Sequence, residues 1–197
     1  SAKADFDQAI SMDPKNYDRL IEIYEALAAH GYREVGQEYL QNVLDTAKQL
    51  DAYDSGRIYY YLGEYQKAYL ALDEARDKGG ADSYLYLGRA YAATGDYNYA
   101  SSVYNNYLSK QGPNAEIYNE LGLCEMAKKE YQNALAAFQA GKQIEGNSLM
   151  QTLCFNEIVA YEYLEDYQQA EVLMNAYLQN YPDDQTAIRE QQFLSTR

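Results

Sequence analysis

Alanine recurs at positions 68, 100, 134 and 170, in steps of 32, 34 and 36, and glycine at 56, 88 and 122, in steps of 32 and 34. A period of about 34 residues is too long for one helix or strand and too short for a domain. It fits a two-helix unit repeated along the chain, each copy burying its apolar face on the next. The fullest copy is Ser83–Tyr107, SYLYLGRAYAATGDYNYASSVYNNY. Leu87, Gly88 and Tyr91 lie at helical spacing, Gly95-Asp96-Tyr97 reads as a tight turn, and Ala100 and Tyr104 open a second helix. The recurring small residues have a mechanical reason. Where two helices of a hairpin cross closely, only glycine or alanine lets the backbones meet, and large residues a turn away, such as Tyr91 and Tyr104, fill the space beside the crossing.

Taken in order, the chain opens with a single helix over 2–14, with Ala2, Phe6, Ala9 and Ile10 as its apolar stripe and Pro14 ending it. This reads as the second half of a hairpin whose first half is missing. A first full repeat spans about 17–48. Asn16 or Asp18 caps its first helix, Leu20, Ile23, Tyr24 and Leu27 face inward, and Gly31 breaks it. Its second helix is expected over 34–49, with Gly36, Leu40, Val43 and Leu44 inward and a competing stripe through Val35 and Tyr39. Further repeats follow at 49–80, 81–112, 115–146 and 151–183, stopped by Gly79-Gly80, Gly112-Pro113, Gly146 and Tyr181-Pro182. A terminal helix over 185–197 carries Ile188, Phe193 and Leu194. The expectation is one domain over 1–197, all-α, of about five antiparallel helix pairs with a half-repeat at each end.

The chain carries 24 Tyr, 4 Phe and no Trp, which suits half-buried surfaces more than a dry interior. A net charge of −14 argues against binding nucleic-acid backbones or anionic membrane surfaces. No apolar run reaches the length of a membrane span and no signal peptide opens the chain. The compartment stays open between the cytoplasm and an extracytoplasmic site reached after loss of an upstream signal or lipid anchor. Tyrosine-rich, lysine-poor composition points to a bacterial protein. Cys124 and Cys154 are too few for a disulfide framework and have no metal-ligand spacing; they read as two separate buried thiols. His30 sits at a helix end, where a cation complements the dipole. HExxH, GxSxG, Walker-type and Ca²⁺-loop patterns are absent, so no catalytic residue, metal or cofactor is expected. Asp183-Asp184 reads as the acidic start of the last helix.

On Leu87-Gly88, Tyr91, Gly95-Asp96-Tyr97, Ala100 and Tyr104, and on Leu121-Gly122, Tyr131, Ala134, Phe138 and Gly141, the chain resembles the tetratricopeptide repeat family. Phe6, Ala9 and Pro14 resemble that family's second helix and closing proline. Ile158 departs from it, standing where the family has a small residue, and Gly146-Asn147 adds two residues. The resemblance implies a right-handed α-solenoid whose first helices line a concave groove, and a non-catalytic scaffold that binds proteins or peptides.

Registration on that family puts Tyr53, Arg57, Tyr60 and Tyr61 on the groove side of one repeat and Asp82, Leu85, Tyr86 and Arg89 on the next. Asn119, Leu123 and Met126, then Phe155, Asn156, Val159 and Tyr163, follow in the two after that. The ligand-contacting set expected from this is Tyr53, Arg57, Tyr60, Tyr61, Tyr86, Arg89, Asn119 and Asn156. Arg57 and Arg89 lie 32 residues apart, at equivalent positions, and a guanidinium offers a fixed fork for carboxylates or carbonyls. The alternative for the arginines is internal pairing with Asp54, Asp82 or Glu120. Asn119 and Asn156 are expected to pair with the backbone of an extended peptide. The Lys- and Asn-based carboxylate clamp of chaperone-binding relatives is not matched. Two other functions remain in play: a ligand-sensing domain of a larger regulator, and a module that homodimerises through exposed terminal helices (Phe6 and Ile10 at one end, Ile188 or Phe193 at the other).

Overall fold

The computed structural model describes residues 2–197, with side chains from Ala4 onward, so the expected role of Ala2 in the first apolar stripe falls outside the described side chains. Among the described residues there are twelve α-helices and no strand: α1 (Ala2–Met12), α2 (Tyr17–Ala29), α3 (Arg33–Thr46), α4 (Ala52–Leu62), α5 (Tyr65–Asp77), α6 (Ser83–Ala93), α7 (Tyr97–Gln111), α8 (Ala115–Ala127), α9 (Tyr131–Lys142), α10 (Met150–Tyr163), α11 (Tyr167–Asn180) and α12 (Gln185–Leu194). The chain divides into two compact units within α6, between Ala90 and Tyr91.

In the unit up to Ala90, consecutive helices from α1 to α5 pack on one another. Its core joins Leu20, Ile21, Tyr24, Leu40 and Ile58. Asn16 caps α2, accepting from the Arg19 backbone N–H at 3.0 Å, and Asp18 is left for another task described below. The second helix of this hairpin ends at Thr46 rather than near Gln49, because Ala47 turns extended. Its stripe is the one through Gly36 and Leu40, both buried; Val35 and Tyr39 are only partly so. The reason is a glycine that makes room for a ring. Gly56, the small residue of α4, faces Leu72, so close that a Cβ would meet Leu72 Cγ at 2.5 Å. One repeat earlier the equivalent position is Tyr24, and the position matching Ala68 is Gly36. A Cβ on Gly36 would sit 2.9 Å from Tyr24 Cδ2, so glycine on α3 compensates for the ring on α2.

In the unit from Tyr91 onward, consecutive helices from α7 to α12 pack on one another. Ala134, Leu135, Phe138, Leu153 and Ala160 form one core cluster; Ile158, Ala170, Met174, Tyr177, Ala187 and Leu194 form another. Asp96, Asp166 and Asp184 cap α7, α11 and α12 with their carboxylates. The turn before the second helix of each hairpin places one residue in the left-handed region: Gly31, Gly63, Gly95, Lys129 and Glu165. Lys129 and Glu165 carry a Cβ there, at φ 64° and 61°. Lys129→Gly is therefore expected to raise stability by about 0.5–1 kcal/mol, relief of the Cβ clash exceeding the added entropy of the unfolded chain. Urea denaturation checks this through a rise in midpoint at unchanged slope.

Glu162 on α10 supplies a pH dependence. One carboxylate oxygen, Oε1, is buried with no hydrogen-bond partner, and burial, then the charge of Glu190 on α12, pushes its pKa from 4.5 to about 7. The folded protein thus holds this proton more tightly than the unfolded chain does. Stability falls as pH rises from about 4.5 through about 7. Screening of the half-exposed side chain limits the loss to about 1 kcal/mol. Melting curves across that range read the slope, and Glu162→Gln is expected to flatten it.

Candidate partner-binding site

Helix α4 carries Tyr53, Arg57, Tyr60 and Tyr61 on one face, since offsets of four, seven and eight return to the same side of a helix. Helix α6 adds Tyr86 and Arg89. Tyr86 is the hub of the ensemble: its ring centroid lies 6.2 Å from that of Tyr53, 5.8 Å from Tyr60 and 6.0 Å from Tyr61. Tyr60 and Tyr61 meet edge to face at 5.1 Å, and Tyr61 contacts Tyr24 of α2 at the same distance. The Tyr61 hydroxyl donates to Glu25 Oε1 at 2.6 Å and stands 3.4 Å from the Tyr86 hydroxyl. Burial raises the pKa of Tyr53 to about 12, against the opposing charge of Arg57. Tyr61 is raised too, first by burial and then by its bonds to Glu25 and Tyr86. Both phenols are neutral at physiological pH.

The two arginines at equivalent positions both lie against tyrosine rings. Arg57 is 6% exposed. It donates through Nη1 to Asp18 Oδ1 and through Nη2 to Asp54 Oδ1, each at 2.5 Å, and its guanidinium lies 4.4 Å from the Tyr53 ring centroid. Burial works against its charge, but the bonds to Asp18 and Asp54 outweigh it and raise its pKa. The fork is already occupied by two carboxylates of this chain. Arg89 is half-buried, with its guanidinium 5.6 Å from the Tyr86 ring centroid. Pairing of Arg57 with Asp54 is among the alternatives the sequence offers; Asp18, 39 residues away, carries no signal there beyond that of a possible cap.

In the second unit Asn119 is buried and Asn156 half-buried, and they bond to each other, Asn156 Nδ2 donating to Asn119 Oδ1 at 2.9 Å. That bond uses one N–H of Asn156, leaving its second N–H and its carbonyl, and the N–H₂ of Asn119. Asn156 also lines a cleft of about 280 Å³ with Gln151, Thr152, Phe155 and Tyr177. Leu123 and Tyr163, expected on the same face, are exposed.

Two buried carboxylates carry no signal in the sequence. Glu125 bonds Lys128 at 2.7 Å and Ser101 at 2.8 Å; Glu157 bonds Lys142 and, at 2.9 Å, Gln139. These are internally satisfied pairs. Cys124 is buried, its thiol pushed up to about 12 by burial and then by Glu120 and Glu125, and Cys154 is partly exposed; both are free thiols. A thiol so hard to ionise is a poor nucleophile. His30 directs Nδ1 to the Ala26 carbonyl at the end of α2. Among the described residues no group of three or more His, Cys, Asp or Glu is placed to hold a metal ion, and no helix is long and apolar enough to cross a membrane.

The family profile described as tetratricopeptide repeat matches residues 53–100 and 87–147. This chain is a tetratricopeptide repeat protein. Solved structures agree on the fold, an all-α repeat of the solenoid class. A thermophilic tetratricopeptide repeat protein of Thermus thermophilus superposes with a TM-score of 0.70 at 16% identity, over 92% of this chain and 100% of that one. A tetratricopeptide repeat protein of Parabacteroides merdae gives 0.64 at 18%, over 90% and 72%. YrrB, described as having an unusual peptide-binding site, gives 0.62 at 18%, over 95% and 97%. No curated protein matches in sequence. Tetratricopeptide repeat proteins are generally non-catalytic protein-interaction scaffolds.

Proposed function

We propose that this tetratricopeptide repeat protein is a non-catalytic scaffold that binds a protein or peptide partner through the faces of its first helices, with the tyrosine ensemble of α4 and α6 as the anchor. The observation that carries the reading is Tyr86 with Tyr53, Tyr60 and Tyr61 around it and Arg89 against its ring. Rigid phenols offer large contact area at small entropic cost, and tyrosine and arginine dominate interface energetics. YrrB, a protein of the same fold, is described as having a peptide-binding site. In the second unit, taken by itself, Asn119 and Asn156 keep amide N–H donors and the Asn156 carbonyl beyond their mutual bond, groups able to pair with the backbone of an extended segment. Arg57 serves this face by holding Tyr53 rather than by reaching the partner.

Arg89→Ala is expected to reduce partner capture from a host lysate by about fivefold or more, the loss of a contact worth at least ~1 kcal/mol. Far-ultraviolet circular dichroism is expected to stay unchanged. Undiminished capture would remove α6 from the binding face.

A further inference from the structure

Beside the anchor lies a cleft of about 430 Å³ lined by Tyr24, Tyr60, Tyr61 and Tyr65, with Glu25 and Arg33 at its rim. It is small for a helix and ample for one long side chain. Its neighbouring rings are steeply inclined: Tyr24 and Tyr61 by 56°, Tyr60 and Tyr61 by 71°, Tyr60 and Tyr65 by 54°. Four phenol rings line the space, and the faces of such rings carry the negative lobe of the aromatic quadrupole. Glu25 adds a formal charge. Its Oε1 is fixed by the Tyr61 hydroxyl at 2.6 Å, and the carboxylate is exposed to the cleft side of α2, where a guest can reach it.

We propose that this cleft binds a cationic side chain, lysine or arginine, of a basic peptide segment. The proposal rests on the reading of the first-helix tyrosines as a binding face, and it adds the chemistry of the partner. Tyrosine rings grouped around a carboxylate attract an ammonium or guanidinium and repel a second carboxylate. The chain as a whole, at −14, steers basic partners toward it. The molecule already uses the same contact internally: Arg57 lies against Tyr53 and Arg89 against Tyr86. The opposing feature is Arg33, an exposed residue of α3 that donates from Nη1 to the Tyr24 hydroxyl at 3.2 Å. It places a positive charge at the rim, so a cationic guest binds against it and an anionic guest binds because of it. Glu25 and Arg33 thus give opposite answers for the two chemistries.

The test is a titration of the full chain with three capped hexapeptides alternating glycine with lysine, norleucine or glutamate, read by calorimetry and by the tyrosine ring resonances. The lysine peptide is expected to bind about tenfold more tightly than the norleucine peptide, to shift Tyr24, Tyr61 and Tyr65, and to weaken as salt is added. Glu25→Gln is expected to weaken it about tenfold and Arg33→Ala to strengthen it about threefold; both side chains are exposed, so neither change threatens folding. Equal binding of the norleucine peptide, indifference to Glu25→Gln, shifts confined to tyrosines outside the cleft, or no binding would each overturn the proposal. Binding of the glutamate peptide that is lost in Arg33→Ala would replace it with a carboxylate site. None of these results touches the native partner's capture through Arg89, so the two readings fail separately.

Discussion

Gly122→Ala is expected to lower the stability of the protein by about 1–3 kcal/mol, although it adds only one methyl group. A Cβ at Gly122 would lie 2.3 Å from Phe138 Cε1, 2.6 Å from Cδ1 and 2.7 Å from Cζ. The Phe138 ring cannot swing aside, because it is fully buried among Ala134, Leu135 and Leu153. The α8–α9 crossing must widen instead, and the cluster that continues into α10 loses contact. For a chain of this length the melting temperature falls by about 2–4 °C per kcal/mol. Phe138→Leu is expected to be destabilising alone and less so on the Gly122→Ala background, since the smaller side chain vacates the space the new methyl needs. A double-mutant cycle measures that coupling. Additive losses would show that the two residues do not share the crossing.

Arg57→Ala is expected to cost about 2–3 kcal/mol, because breaking a buried ion pair from one side leaves the other charge uncompensated. Here the uncompensated group is Asp54, whose side chain is 17% exposed and whose pKa is already raised, by burial, despite the arginine beside it. Asp18 is 77% exposed and returns to water at little cost, which keeps the loss below that of a fully buried pair. Asp18→Asn is accordingly expected to cost under about 1 kcal/mol. Arg57→Lys recovers only part of the stability, because one ammonium cannot serve two carboxylates in the geometry of a fork. Urea denaturation of the three variants orders them. A melting temperature unchanged in Arg57→Ala would mean the arginine is not the keystone between α2 and α4.

Much of the local architecture is legible without any coordinates. The turn at Gly95-Asp96 announces itself because left-handed backbone favours glycine and an aspartate after it caps the next helix; both effects act within four residues. The same turn is less plain at Lys129 and Glu165, where the backbone keeps its shape without the residue that advertises it. The small residue at Gly56 or Gly122 is legible because it recurs at the same place in successive repeats, where the facing helix brings a large side chain, Leu72 or Phe138, against it. At the first hairpin a ring, Tyr24, stands where the later repeats have glycine, and Gly36 on the facing helix makes room for it, so this hairpin departs from the pattern of the others.

The site divides along the same line. That Tyr53, Arg57, Tyr60 and Tyr61 share a face follows from helical periodicity alone. Which acids Arg57 holds does not: several carboxylates lie within reach of either arginine in an acidic chain, and the choice of Asp18 depends on how α2 lies against α4. Arg57 ends between two aspartates with its guanidinium 5.8 Å from the Tyr86 ring centroid, and Arg89, at the equivalent position, approaches the same ring at 5.6 Å. The pairing of Asn156 with Asn119, and of Tyr61 with Glu25 beside the cleft, has the same origin, partners 37 and 36 residues apart brought together by stacking of successive repeats. The repeat, its turns and the face each side chain occupies follow from the order of residues, because those are set by sterics and hydrogen bonds acting over a few residues. Which charged and polar groups meet one another emerges in the folded chain alone, because it is set by contacts about one repeat apart, where several partners compete and packing geometry selects among them.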